Sequence, residues 1–270
     1  RCVLPEMPMA AALSAAHLAA ILFPDTLRRL YIVRDDDPAG DGARDTLIER
    51  ADTLGIDFHK TGFAPYISSL FLCRDRAELG VLVRSRDTMP YLYHSGEYHP
   101  GMYTLETSRS ATGVLAALAN LRLLGRRGLQ VLLGHAVEMA ELLREQIRSR
   151  PEMTVANEDN LGPVTLFRVY PDGVDTFSIL DQEMRDPEAR QLVARHNDFN
   201  RRIYQRVHDD ALRGNGVAIG LTERYRLTEA GDPIVALKSY VLSPFCDAEQ
   251  MHTVVRRVLE VREAVQNETA

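Results

Sequence analysis

At 270 residues and 30.3 kDa, the chain is long enough for one large α/β domain or two smaller ones. Hydrophobic residues make up 45% and charged residues 26%, a globular composition that excludes collagenous and disordered classes. The formal charge of −6 provides no overall attraction to nucleic acid or anionic membrane, so any such partner must be met locally.

The first predicted element is an Ala-rich helix over residues 10–22, stopped by Pro24. Its apolar stretch, residues 10–23, is broken by Ser14 and His17 and is shorter than the roughly 20 residues a bilayer requires, so it reads as a buried helix. Residues 1–9 lack the basic cluster of a secretory leader, and a start on Arg1 leads us to expect a fragment, a processed product or a gene that has lost its beginning. A strand over 30–33 then runs into the acidic turn Asp35-Asp36-Asp37-Pro38-Ala39-Gly40. A helix over about 43–54 is expected to close on Gly55, and a short strand over 56–58 delivers His59 and Lys60 at its carboxyl end. Residues 67–73 (ISSLFLC) read as a buried strand, followed by a polar, aromatic loop over 84–104 of the length that often carries function. Thr107 or Ser108 caps a helix running to Leu124, and after Gly125 a second amphipathic helix runs from Gly128 to Arg148. The pattern closes with a strand over 164–170, a helix over 186–212, strands over 217–221 and 234–242, and a helix over 247–265.

Only two of the 32 basic residues are lysine, Lys60 and Lys238. Arginine replaces lysine on a solvated surface, but a guanidinium neither forms a Schiff base nor gives up its proton near neutrality, so each retained lysine is a candidate for chemistry. Leftover codon bias explains the same count. The three cysteines, Cys2, Cys73 and Cys246, are far apart with no CxxC pair, which indicates neither a disulfide framework nor a zinc site and fits a reducing cytoplasm.

The segment Asp57-Phe58-His59-Lys60-Thr61-Gly62-Phe63-Ala64-Pro65-Tyr66, followed by Ser68-Ser69-Leu70-Phe71-Leu72, resembles the cofactor-lysine segment of group II pyridoxal-phosphate (PLP)-dependent decarboxylases. Supporting segments follow in the family's order: Tyr91-Leu92-Tyr93-His94-Ser95, Thr104-Leu105-Glu106-Thr107-Ser108-Arg109, and 236–244. The resemblance implies an α/β chain of fold-type-I PLP-transferase architecture. Residues 57–150 would be the end of the large domain and 151–270 an α+β small C-terminal domain. It also implies decarboxylation of an L-amino acid, with PLP as cofactor, Lys60 as the Schiff-base lysine, His59 against the cofactor or its phosphate, and a homodimer. A loop tyrosine would reprotonate the carbanion: Tyr91 by best match, Tyr93 as runner-up. Lys238 stands where some members place an arginine for the substrate carboxylate or the cofactor.

Residues 1–56, through the Ala-rich helix and the Leu30-Tyr31-Ile32-Val33-Arg34-Asp35-Asp36-Asp37 strand and turn, resemble the latter part of a Toprim domain. That implies Mg²⁺ held by Asp35 and Asp37 for phosphoryl transfer on nucleic acid, since hard cations prefer clustered carboxylates. A solvated Asp-Pro-Ala-Gly turn is the competing reading. The segment 45–55 suits both families, so a junction between them is expected there. Three functions therefore stand side by side: a PLP carboxy-lyase, a Mg²⁺-dependent primase-like protein, and an inactive fusion remnant. His94, Glu97 and His99 have a loosely metal-like spacing but read as loop polar residues, so no metal site is assigned. Residues 195–206 are basic with two aromatics, yet Phe199 and Ile203 share one helical face, which predicts a half-buried helix rather than a nucleic-acid surface.

Overall fold

The computed structural model describes residues 52–83, 87 and 110–268. They form two compact units, one ending at Gln130 and the other starting at Val131.

In the first unit, β1 (Thr53–Asp57) pairs antiparallel with β2 (Ser69–Cys73), with Gly55 opposite Phe71 and Asp57 opposite Ser69. Leu54 and Gly55 thus belong to a strand, not to the end of a helix. Thr53 and Ile56 favour extended backbone, and the β-rich SLFLC segment supplies the partner, so pairing outweighs the C-cap signal of the glycine. A 3₁₀ helix (Arg76–Leu82) follows, its start capped by the Asp75 carboxylate accepting from the Ala77 N–H. Helix α1 (Thr112–Arg148) breaks at Gly125, whose φ of 59° and ψ of −168° lie outside the helical region; this is the predicted separation into two helices. Its start is held by Ser110, whose hydroxyl accepts from the Thr112 N–H; the expected caps Thr107 and Ser108 lie outside the described residues. A small core of Ile56, Phe58, Ala64 and Ala117 packs β1 and the following turn on α1. β2 is not buried as expected: Leu70, Phe71 and Leu72 are all exposed. The apolar residues on both faces of β2 gave a two-sided burial signal, but the core draws its strand residues from β1 alone.

The second unit is a four-stranded antiparallel sheet, order β3-β4-β6-β5, covered by helices. Its strands are β3 (Met153–Val155), β4 (Val164–Val169), β5 (Gly220–Thr222) and β6 (Ala236–Tyr240). The register aligns Val155, Phe167, Leu237 and Leu221 across the sheet. These residues pack against the end of α1, through Ala140, Leu143 and Ile147, and against α3 (Arg190–Leu212) and α4 (Ala248–Asn267). In α3, Phe199 and Ile203 are buried, while Arg201 and Arg206 pair with Glu223 and Glu268 outside, as the helical spacing predicted. Gly214, with φ of 76°, follows the end of α3. Asp247 and Gln250 form a capping box that starts α4. Helix α2 (Ile179–Arg185) and strand β3 were not anticipated; both are too short to carry a periodic signal.

A buried polar network stitches this unit together. Arg168 on β4, fully buried, donates to Glu183 Oε1 of α2 at 2.9 Å, to the Tyr170 hydroxyl at 3.0 Å and to Asn197 Oδ1 of α3 at 2.9 Å. Glu183 also accepts from His196 Nδ1 at 2.7 Å and from the Tyr170 hydroxyl at 3.0 Å. Burial first, and the Glu183 carboxylate next to it, hold the Tyr170 phenol well above its ordinary value, so it remains a donor.

Candidate active site around Lys60

Lys60 sits at the junction of two tight turns that follow β1. The Lys60 N–H donates to the Asp57 carbonyl at 3.1 Å, the Phe63 N–H to the Lys60 carbonyl at 3.2 Å, and the Ala64 N–H closes back on the Phe58 carbonyl at 3.0 Å. Such a path requires unusual backbone. Phe63 has φ of 56°, a left-handed conformation costing a non-glycine residue on the order of 1–3 kcal/mol and found most often where function demands it. At Gly62 a Cβ would lie 2.8 Å from the Phe58 backbone and ring, so only glycine fits. Phe58, buried in the small core, anchors one end of the turn. The Asn120 side chain of α1 donates to the Gly62 carbonyl at 3.1 Å and anchors the other.

The amine of Lys60 donates to Asp57 Oδ2 at 2.6 Å, and both side chains are about three-quarters buried, 23% and 27% exposed. The Ser69 hydroxyl, opposite Asp57 in the β1–β2 register, donates to Asp57 Oδ1 at 2.7 Å. Burial pushes the Asp57 carboxyl up, but the hydrogen bonds from Lys60 and Ser69 and the positive charges of Lys60 and His59 outweigh it and hold it below the ordinary carboxylate range. Asp57 is therefore an ionised acceptor.

His59 Nδ1 lies 2.9 Å from the Ser68 carbonyl and 3.4 Å from the Ser69 hydroxyl. A carbonyl oxygen only accepts, so the shorter contact places the proton on Nδ1; the Ser68 N–H, at 3.3 Å, is the weaker competitor. The ring lies 4.1 Å from that of Tyr66, centroid to centroid. Ser68 is itself fixed, its hydroxyl donating to the Gly113 carbonyl of α1 at 2.7 Å. Beside the lysine, the Thr61 hydroxyl is buried and has no hydrogen-bond partner among the described residues. A buried hydroxyl without a partner is costly, and a ligand atom would satisfy it.

Two expected site residues, Lys60 and His59, thus share one strand end. Tyr91 and its runner-up Tyr93 lie outside the described residues, as do His94, Glu97, His99, Asp35 and Asp37. Lys238 lies on β6 of the other unit, opposite Leu166 and Gly220, where a Cβ on Gly220 would meet its Cε at 3.0 Å. Sequence reasoning missed Asp57 as the partner of the amine and Ser69 as the partner of Asp57. The Asp57–Lys60 spacing at a strand end was the available signal, since an i to i+3 turn brings such a pair together. Among the described residues, no group of three or more His, Cys, Asp or Glu side chains is placed to hold a metal, and no helix is long and apolar enough to cross a membrane.

Comparison with known proteins places this site in context. Residues 38–169 match the family model described as the pyridoxal-dependent decarboxylase conserved domain, and residues 2–61 match that of the Toprim domain. The two matches overlap across the expected junction at 45–55. A curated relative, L-2,4-diaminobutyrate decarboxylase of Rhizobium meliloti (strain 1021), is 28% identical over 123 residues, covering 45% of this chain and 24% of its own. Among solved structures, Oryza sativa TDC with PLP and tryptamine aligns with a TM-score of 0.58 at 16% identity, over 83% of this chain and 41% of that one. Mouse CSAD aligns with a TM-score of 0.56 at 17% identity, over 79% and 40%. The glutamate decarboxylase domain from Vibrio parahaemolyticus aligns with a TM-score of 0.52 at 16% identity, over 82% and 36%. These likenesses establish the expected α/β, fold-type-I architecture. The chain spans about a quarter of the curated relative's length.

Proposed function

We propose that the chain acts in PLP-dependent decarboxylation of an L-amino acid, with Lys60 as the residue to which the cofactor attaches. The observation that carries this reading is the Lys60 turn. A primary amine held at a strand end, in a turn that also carries the oriented imidazole of His59 and the partnerless buried hydroxyl of Thr61, lies within a segment that matches the decarboxylase family. The donor set suits PLP: an amine to bond its aldehyde, and His59 and Thr61 as polar contacts. Bound there, PLP supplies the electron sink that lets the bond from Cα to the carboxylate break.

The chain's own residues would prepare that chemistry. Phe58, Gly62 and Asn120 hold the turn, so the amine leaves the strand end in a fixed direction. The ammonium that pairs with Asp57 Oδ2 would have to give up one proton to solvent before the nitrogen has a lone pair to offer. His59, oriented through Nδ1 by the Ser68 carbonyl, keeps Nε2 available as a polar contact. Tyr91 is assigned the final proton delivery to Cα by resemblance. In this reading residues 57–150 belong to a large domain and 151–270 to a small one, and the enzyme is a cytoplasmic homodimer.

Titrating the purified chain with PLP beside Lys60→Ala tests the reading. A saturable visible absorption band is expected in the wild type and absent from the variant; an identical weak, non-saturating response in both would refute it. L-2,4-Diaminobutyrate, the substrate named for the Rhizobium meliloti relative, is the first amino acid to assay for CO₂ release.

The Toprim match supports a second reading for residues 2–61, with Asp35 and Asp37 as Mg²⁺ ligands. Mg²⁺-dependent DNA binding lost in Asp35→Asn and Asp37→Asn would favour it, and binding unaffected by those changes would count against it.

A further inference from the structure

We propose that Asp57 is a positioning residue for Lys60: it docks the amine, and this docking must be released before the amine reacts. The inference rests on the reading of Lys60 as the attachment residue. Three observations carry it. The contact between Nζ and Oδ2 is 2.6 Å, short even for a charge-assisted bond, and the pair is mostly buried. The carboxylate is not a passing surface group, because the Ser69 hydroxyl fixes its other oxygen at 2.7 Å from across the β1–β2 register. The turn that brings Asp57 and Lys60 together is itself over-determined: it includes the left-handed Phe63 and a Gly62 that nothing larger can replace.

Lysine has a long, flexible stem, and holding its head group in one place costs side-chain entropy. A loose ammonium would sample many directions from the strand end. Asp57 narrows them to one, toward the carboxylate that the Ser69 hydroxyl fixes from the neighbouring strand. The same contact has a chemical cost. A carboxylate holds the ammonium form more strongly than the neutral amine, and the ammonium has no lone pair, so one proton must pass to solvent and the ion pair must loosen before the amine can attack. Asp57 thus sets both where the amine waits and how readily it is released.

The experiment uses the whole chain without PLP. Trace labelling with acetic anhydride, read by peptide mass spectrometry, reports the accessibility of the free amine at each lysine. Because the chain has only Lys60 and Lys238, the second lysine serves as an internal reference. Asp57→Asn is expected to raise Lys60 labelling about two- to fivefold, the range a partly exposed ion pair supports, with Lys238 unchanged. Asp57→Glu should restore part of the protection, and Ser69→Ala should raise Lys60 labelling by less than Asp57→Asn does. Unchanged Lys60 labelling in Asp57→Asn would overturn the proposal. So would an equal rise at both lysines combined with no rise at Lys60 in Ser69→Ala, since that pattern assigns Asp57 to folding alone. The labelling does not involve PLP, so it can succeed even if the PLP titration of the wild type fails.

Discussion

Replacing Glu183 by Ala tests how the second unit is held together. Glu183 is fully buried and accepts from Arg168 at 2.9 Å, from His196 at 2.7 Å and from the Tyr170 hydroxyl at 3.0 Å. Removing it deletes three hydrogen bonds and strands the fully buried Arg168 guanidinium without a counter-charge. Hydrogen bonds involving charged groups are worth about 1.5–3 kcal/mol each, but the partners partly re-pair, so the sum overstates the loss. The cost of breaking a buried pair by removing one member, about 3–5 kcal/mol, is the better guide. That is a large share of the roughly 5–15 kcal/mol that holds a typical domain folded. Urea denaturation followed by circular dichroism should show this loss as a lower midpoint. Removing both charges, Arg168→Met with Glu183→Leu, should recover part of it, because an apolar replacement leaves no stranded charge while the Tyr170 hydroxyl and His196 still lose their acceptor. A single-variant loss below about 1 kcal/mol, in the range of exposed pairs, would refute the assignment of this cluster as a buried ion pair.

Gly113→Ala would place a Cβ 2.2 Å from the Ile67 carbonyl oxygen, pushing the start of α1 off the segment that holds His59 and Ser69. A stability loss of about 1–3 kcal/mol and weaker PLP binding are expected, checked by thermal melting and absorption titration. Gly62→Ala should act in the same direction, because its Cβ would meet backbone as well as the Phe58 ring at 2.8 Å. Acid should weaken the second unit through Asp172, whose carboxyl is held below its ordinary value by hydrogen bonds from Arg262 and Gln266. A depressed folded value means the stabilisation is complete above the unfolded carboxylate value near 4 and is lost as pH falls through the lower folded value. Urea midpoints measured downward from pH 5 should therefore fall less steeply in Asp172→Asn than in the wild type.

The second unit was the more legible in sequence because its elements are long and periodic. The apolar spacing in 190–212 and 248–267 and the β-rich run in 164–169 set its helices and sheet, and Gly125 marked the helix break. Short elements escaped, since neither α2 nor β3 spans enough residues for a period to emerge. Near the site, the Lys60 strand end was readable from a motif. The strand itself began earlier than expected, because Gly55 looks like a C-cap to local rules and only pairing with β2 overrides them. Likewise β2 looked buried because its composition suits two covered faces, and composition alone cannot say which face is covered. The Asp57–Ser69 contact depends on strand register, which no local pattern encodes.

The central claim, attachment of PLP at Lys60, is tested most directly by borohydride reduction of the PLP-treated chain followed by peptide mass spectrometry. The account predicts a pyridoxyl-phosphate mass on the peptide carrying Lys60, stoichiometric and absent from Lys238. Label spread over both lysines and the amino terminus in proportion to exposure, or none at Lys60, would contradict it.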